Sequence, residues 1–276
     1  MTGAVHPDDW FERQRRTAAE PTWWFWRTAI RRGRPVVSIF GNLEVTGSVA
    51  PELLRGPLLL APNHIGNFDT IVIAVAMPRV GLEPRFLVTG GIMTAPVVGR
   101  LLERSGNLRV ERGKTDAARS MELVDIALRH GAHLCIYQEG RVSLDPGLWP
   151  ERGKTGLARI ALEHNVPVIP IAQWGAHAVT KYDQRTEMLR STVSAIWRRP
   201  TLKVHFGEPV DLSGLDAGRR GDSIRARNRI AAAQTRLLTT LRPGELDAPA
   251  FADRTRPVRY PPTAAFPGGV VPDDLP

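Results

Sequence analysis

The chain has 276 residues, 42% hydrophobic and 24% charged, a balance that excludes wholesale disorder and a fibrous architecture and allows one domain with a sizeable core. The formal net charge of +9 points to an anionic partner such as phospholipid headgroups, nucleic acid or a phosphorylated substrate, and the single cysteine, Cys135, excludes an internal disulfide. No stretch reaches the roughly 18 uninterrupted apolar residues of a membrane-spanning helix, and the opening Met-Thr-Gly-Ala-Val-His lacks the basic start and apolar run of a cleaved secretory signal.

Residues 8 to 34 carry four of the seven tryptophans, and Trp23-Trp24-Phe25-Trp26 is closely followed by Arg27, Arg31, Arg32 and Arg34. The spacing predicts a helix from about residue 23 to 32, with Thr22 as N-cap and Gly33 as stop. Trp23, Trp26 and Ile30 then share one face, while Arg27 and Arg31 lie together on another. Rings at Trp23, Trp24 and Trp26 beside Arg27 and Arg31 suit the headgroup boundary of an anionic bilayer, where each basic residue adds about 1 kcal/mol. Residues 1–42 are therefore expected to form an amphipathic, helical, membrane-binding segment. The plainer alternative packs the tryptophans on the protein's own core.

From residue 43 short β-type runs alternate with helical stretches. The expected strands are Leu43 to Thr46, Leu58 to Ala61, Arg85 to Val88, Leu108 to Val110, His133 to Tyr137, Val168 to Ala172 and Leu202 to Phe206. Helices are expected at Thr70 to Met77, Thr94 to Arg104, Thr115 to His130, Lys154 to Glu163 and Ser223 to Leu241. Alternation of this kind predicts an α/β fold over residues 43–242, a largely parallel sheet flanked by helices, with its active site beyond the carboxyl ends of strands. Cys135 falls inside an apolar strand and reads as core. Residues 243–276, rich in proline, glycine and alanine, read as a loosely ordered tail.

The loop after the second strand is Pro62-Asn63-His64-Ile65-Gly66-Asn67-Phe68-Asp69. Asp69 stands where loop becomes helix, so a turn at Gly66 can fold its carboxylate back on one imidazole nitrogen of His64. That would fix the tautomer and leave the other nitrogen as a general base. Taken alone, such a pair is more simply a helix-capping aspartate and a loop histidine. Three further segments accompany it: Gly106-Asn107-Leu108-Arg109-Val110-Glu111-Arg112, Gln138-Glu139-Gly140-Arg141-Val142-Ser143 and Val166-Pro167-Val168-Ile169-Pro170-Ile171.

In this order the four segments resemble the glycerolipid acyltransferase family typified by 1-acyl-glycerol-3-phosphate acyltransferase, over about residues 40 to 210. The resemblance implies that His64 deprotonates the acceptor hydroxyl, Asp69 orients it, and Arg112, Glu139, Gly140 and Arg141 form the acceptor phosphate site. The sequence departs from the family's E-G-T-R-S block: arginine comes one place early, at 141, valine stands at 142, and Gln138 replaces the usual proline. Guanidinium groups at 112 and 141 suit a phosphate monoester because each donates two parallel hydrogen bonds. Lys154 is a further candidate contact for phosphate on acceptor or donor. The resemblance also implies transfer from acyl-CoA, as co-substrate, to a lysophospholipid, giving phosphatidic acid with no cofactor.

A metal site is not expected, for want of H-E-x-x-H or paired cysteines. A serine acyl-enzyme is not expected either, for want of G-x-S-x-G. Nor is nucleic acid, since no recognition signature accompanies the basic residues. Glycerol 3-phosphate or a glycolipid remains open as acceptor, as does a non-catalytic module that binds anionic lipid. The expected setting is peripheral, on the cytoplasmic face of the cell membrane.

Overall fold

The structure, a computed structural model, describes residues 9–110, 114–181, 185–245, 250–253 and 256. The chain opens with helices α1 (Asp9–Ala19), α2 (Trp24–Arg32) and α3 (Arg34–Phe40), then strand β1 (Asn42–Gly47), strand β2 (Leu58–Pro62) and helix α4 (Asp69–Ala76). Next come β3 (Pro84–Thr89), α5 (Gly90–Met93), α6 (Val98–Arg104), β4 (Leu108–Val110), α7 (Lys114–Arg129) and β5 (His133–Cys135). The chain continues through α8 (Gly156–His164), β6 (Val168–Trp174), α9 (Ala176–Val179), α10 (Arg185–Arg198), β7 (Thr201–Phe206) and α11 (Asp222–Leu241).

The strands form one seven-stranded sheet in the order β1-β7-β6-β2-β5-β3-β4. All neighbouring pairs are parallel except β6 and β7, so β1 and β7 together run opposite to the rest. Strand β2 lies near the middle, between β5 and β6, and the run Leu58-Leu59-Leu60-Ala61 is buried on both faces as a central parallel strand requires. Leu58 and Leu60 face a core layer with Ile30, Val37, Ile73, Val179 and Ala195, from α2, α3, α4, α9 and α10. Leu59 and Ala61 face the opposite layer with Ala18, Leu123, Leu157 and Ile230, from α1, α7, α8 and α11. Each large apolar side chain so buried contributes roughly 1.5–3 kcal/mol. The expected α/β architecture, a mostly parallel sheet with helices on both faces, is the one observed.

Element ends differ from expectation for local reasons. The helix expected over Thr94 to Arg104 is shorter: α6 starts at Val98, after Pro96, whose missing amide hydrogen disfavours a helix continuous with the preceding α5. Helix α8 starts at Gly156 instead of Lys154, whose amide donates to Gln138 O (2.8 Å). Thr22 does not cap α2. The N-cap position is Trp23, without a side-chain cap, and Thr22 Oγ1 accepts from Arg85 Nε (3.4 Å).

That arginine ties the first two helices to the body. Arg85 is buried, and its guanidinium donates to the carbonyls of Thr17 and Ala18 in the last turn of α1 and of Glu20 just after it. Helix α1, which the sequence reading passed over, covers the β4 edge of the sheet. Gln14 Oε1 accepts from Arg109 N (2.8 Å), supplying a partner to an edge-strand amide.

Of the five residues expected at a bilayer, Trp26 is the clearest correction. Its ring packs against the core and its Nε1 donates to Pro84 O (3.4 Å), because the face it shares with buried Ile30 is the one that meets the sheet layer. Arg27 and Arg31 both bind Glu83 Oε1, at 2.9 and 2.7 Å. Trp23 is half-buried, with its ring against Phe25 and under the Arg104 guanidinium. Trp24 stands out, 68% exposed.

A second apolar surface was not anticipated. Leu189, Val193, Ile196 and Trp197 form an exposed stripe along α10, with Trp197 76% exposed. Helix α10 packs against α3, where Val36 and Ile39 are also exposed. No described helix is long and apolar enough to cross a membrane.

Candidate active site

Strands β2, β5 and β6 are neighbours and run the same way, so the loops after them meet at one edge of the sheet. His64 follows β2. Asp69 opens α4, and its carboxylate folds back over the turn as expected: Oδ2 accepts from His64 Nδ1 (2.9 Å) and from the amides of Gly66 (2.9 Å) and Ile65. The carboxylate is fully buried and stands at the N-terminus of α4, where the helix dipole favours an acceptor. Because a carboxylate only accepts, the Nδ1 atom of His64 carries the proton and Nε2 keeps the lone pair. Nε2 has no hydrogen-bond partner among the described residues, and the His64 side chain is 18% exposed. The geometry therefore leaves a base at the surface of the loop, oriented from behind.

The ring is also held from the side. Tyr137 stacks on His64 with centroids 4.1 Å apart and planes at 24°, and its hydroxyl lies 3.4 Å from Thr70 Oγ1. Burial pushes the Tyr137 phenol well above its ordinary range, so the ring stays neutral. Sequence reasoning took Tyr137 only as a strand end. Its position immediately before Gln138-Glu139-Gly140 was the available signal.

Glu139 was expected among the acceptor's ligands, and the structure gives it a different task. Its Oε1 accepts from His64 N (2.9 Å) and its Oε2 from Glu151 N (3.1 Å), so both oxygens serve backbone. Burial pushes its carboxyl up to about 8 in spite of those two donors. Ser143 completes the grip, its amide donating to His64 O (2.7 Å). The histidine's own amide and carbonyl are thus both fixed by the loop after β5.

Gly140 turns that loop with φ +69°, and a Cβ there would meet Lys154 Nζ at 3.4 Å. Exposed Lys154 therefore lies beside the Glu139-Gly140 turn. Arg141 is engaged elsewhere: its Nε and Nη2 bind Glu151 Oε2 at 3.2 and 2.9 Å. Glu151 Oε1 in turn accepts from Leu144 N (2.9 Å). With arginine one position early, at 141, and valine at 142, the guanidinium pairs with Glu151. Arg112 lies outside the described residues.

Two further features escaped the sequence reading. Asn63 and Gln173 clasp β2 to β6 through three buried bonds, Asn63 Nδ2 to Gln173 O (3.1 Å), Gln173 N to Asn63 Oδ1 (2.7 Å) and Gln173 Nε2 to Asn63 O (2.7 Å). Phe251, from the stretch read as loose tail, packs edge-on to Trp174 and His177 at 5.3 and 4.8 Å. Burial lowers His177 to about 4.

Comparison with known proteins gives a consistent set of likenesses. Residues 42–174 match the family model named Acyltransferase. A lyso-ornithine lipid O-acyltransferase of Pseudomonas aeruginosa is 29% identical over 124 residues, 45% of this chain and 45% of that protein, so the matched part spans about half of either. Among solved structures, the 1-acyl-sn-glycerophosphate acyltransferase PlsC of Thermotoga maritima shares the fold. Its TM-score is 0.57 at 18% identity, over 79% of this chain and 80% of that one.

Proposed function

We propose that the chain, which matches the Acyltransferase family model over residues 42–174, is a glycerolipid acyltransferase that transfers a fatty acyl group from acyl-CoA to the free hydroxyl of a lysophospholipid, 1-acyl-glycerol-3-phosphate first among them. The observation that carries this reading is the His64–Asp69 pair with Nδ1 spent on the carboxylate. His64 Nε2 takes the proton of the acceptor hydroxyl as that oxygen attacks the thioester carbonyl. The C–O bond forms, the C–S bond breaks, and the departing thiolate takes the proton back from the imidazolium. No bond to the protein is made, and the free thiol and the new ester balance the step. General-base help of this kind is worth roughly 10² to 10⁴ in rate.

A second reading of the acceptor is favoured by one contact. Arg141, the guanidinium nearest in sequence to the Glu139-Gly140 turn, is paired with Glu151. A site whose arginine is already matched has less need of a phosphate monoester, and the Pseudomonas aeruginosa relative is named for lyso-ornithine lipid. Purified protein offered acyl-CoA with lysophosphatidic acid, glycerol 3-phosphate or lyso-ornithine lipid, with the products weighed by mass spectrometry, distinguishes the two. Phosphatidic acid as main product supports the first reading and acylated ornithine lipid the second. No acylated product from any of them would end the transferase proposal.

We further propose that the protein works on an anionic bilayer from the cytoplasmic face, lying on the surface. Trp24 and Phe25 on α2, Val36 and Ile39 on α3 and the Leu189–Trp197 stripe on α10 are exposed on neighbouring helices. Exposed Arg32, Arg34 and Arg190 lie among them, the composition that suits a headgroup boundary.

A further inference from the structure

The Arg256 side chain is fully buried. It is 191 positions from Ile65 and 113 from Ser143, yet Nη2 donates to Ile65 O (2.8 Å) and Nη1 to Ser143 O (2.7 Å). The third nitrogen, Nε, binds Asp253 Oδ2 (2.9 Å), and Asp253 N donates to Pro146 O (2.7 Å). One planar cation from beyond the last helix therefore bridges the histidine loop after β2 and the loop after β5.

Its two carbonyl partners occupy particular places. Ile65 follows His64 directly, and the Ile65 amide is one of the three donors to Asp69 Oδ2. Ser143 is the residue whose amide holds His64 O. Each carbonyl that Arg256 touches thus belongs to a residue whose own amide helps to aim the imidazole. A guanidinium presents two parallel N–H groups at fixed spacing and can hold both carbonyls at once. An ammonium is a point charge on a flexible stem and cannot fix that geometry.

We propose that Arg256 is a positioning residue for His64, so that the segment after α11 completes the catalytic centre. The proposal rests on the acyl-transfer reading for its kinetic consequences and on geometry alone for its structural ones. Holding the two loops together sets the distance between the imidazole and whatever the Glu139-to-Ser143 loop binds, and a displacement on the order of 1 Å at such a place costs roughly 10²-fold in rate.

The test compares full-length wild type with Arg256→Ala and Arg256→Lys, using three measurements. In steady-state transfer from acyl-CoA to the accepted lysolipid, both variants are expected to lose about 10²-fold in kcat, with KM for either substrate nearly unchanged. Added guanidinium ion is expected to restore part of the loss in Arg256→Ala and none in Arg256→Lys. Nuclear magnetic resonance is expected to show the far-downfield proton of the His64 Nδ1–H···Asp69 bond in wild type and its loss in both variants. Asp69→Asn identifies the signal. Arg256→Lys keeps the charge and guards against a variant that simply fails to fold. Wild-type kcat in folded Arg256→Ala, or an intact downfield proton in both variants, overturns the proposal. A wild type without turnover strikes the acyl-transfer reading alone, because the proton resonance still decides the positioning.

Discussion

The imidazole of His64 is held by several neighbouring groups. Asp69 fixes which nitrogen is basic, Tyr137 fixes the ring plane, and Glu139 and Ser143 fix the backbone. Asp69→Asn offers an amide hydrogen where a carboxylate oxygen stood, so the other tautomer becomes competitive, and kcat is expected to fall by roughly 10²- to 10⁴-fold with the fold kept. Circular dichroism beside the rate measurement checks it, and a full-speed variant would remove the orienting role. Glu139 gives a pH test with a definite sign. Its folded-state carboxyl titrates near 8 against an ordinary 4.5, so the neutral form is the one folding favours. The stability that this group contributes is complete below about pH 4.5 and is lost as pH rises through about 8. Thermal melts from pH 5 to 9 are therefore expected to fall more steeply for wild type than for Glu139→Gln, whose side chain does not titrate; parallel slopes would contradict the assignment.

At the scale of elements, the strands were legible and several helices were not. Apolar runs such as Leu58-Leu59-Leu60-Ala61 bury both faces and announce themselves, and all seven expected strands are present. Helix α1 hid because its fixing contacts, Gln14 to Arg109 and the Arg85 guanidinium to Thr17 and Ala18, span long sequence separations and leave no periodic trace. The apolar repeat of α10 was visible in the sequence but faces outward, so core-based reasoning had no use for it. Within the site, the His64–Asp69 pair could be read because both members lie in one short loop. Glu139's hold on His64 N, Arg141's pairing with Glu151 and Arg256's bridge are tertiary facts that no local pattern encodes. Arg85→Met leaves carbonyls at the end of α1 without their donor and is expected to cost about 2–3 kcal/mol of stability. Denaturant unfolding checks this, and a change under about 0.5 kcal/mol would show that Arg85 does not hold the segment.

For the whole molecule, the sheet brings three loops to one edge, and an apolar, basic surface runs over α2, α3 and α10. Replacing Leu189 and Trp197 together by serine is expected to weaken binding to anionic vesicles about tenfold or more, since each large apolar side chain withdrawn from water is worth roughly 1.5–3 kcal/mol. Turnover of a water-soluble short-chain acceptor is expected to stay as it was, and vesicle flotation beside that assay reads the difference. Undiminished flotation would move the bilayer contact away from α10. The central claim, that His64 is the base of a direct acyl transfer, is tested most directly by thiol release and ester formation in wild type and His64→Ala under saturating acyl-CoA and acceptor. The account predicts one thiol per ester in wild type and a loss of roughly 10²- to 10⁴-fold in both signals for the variant; a folded His64→Ala that forms ester at the wild-type rate would contradict it.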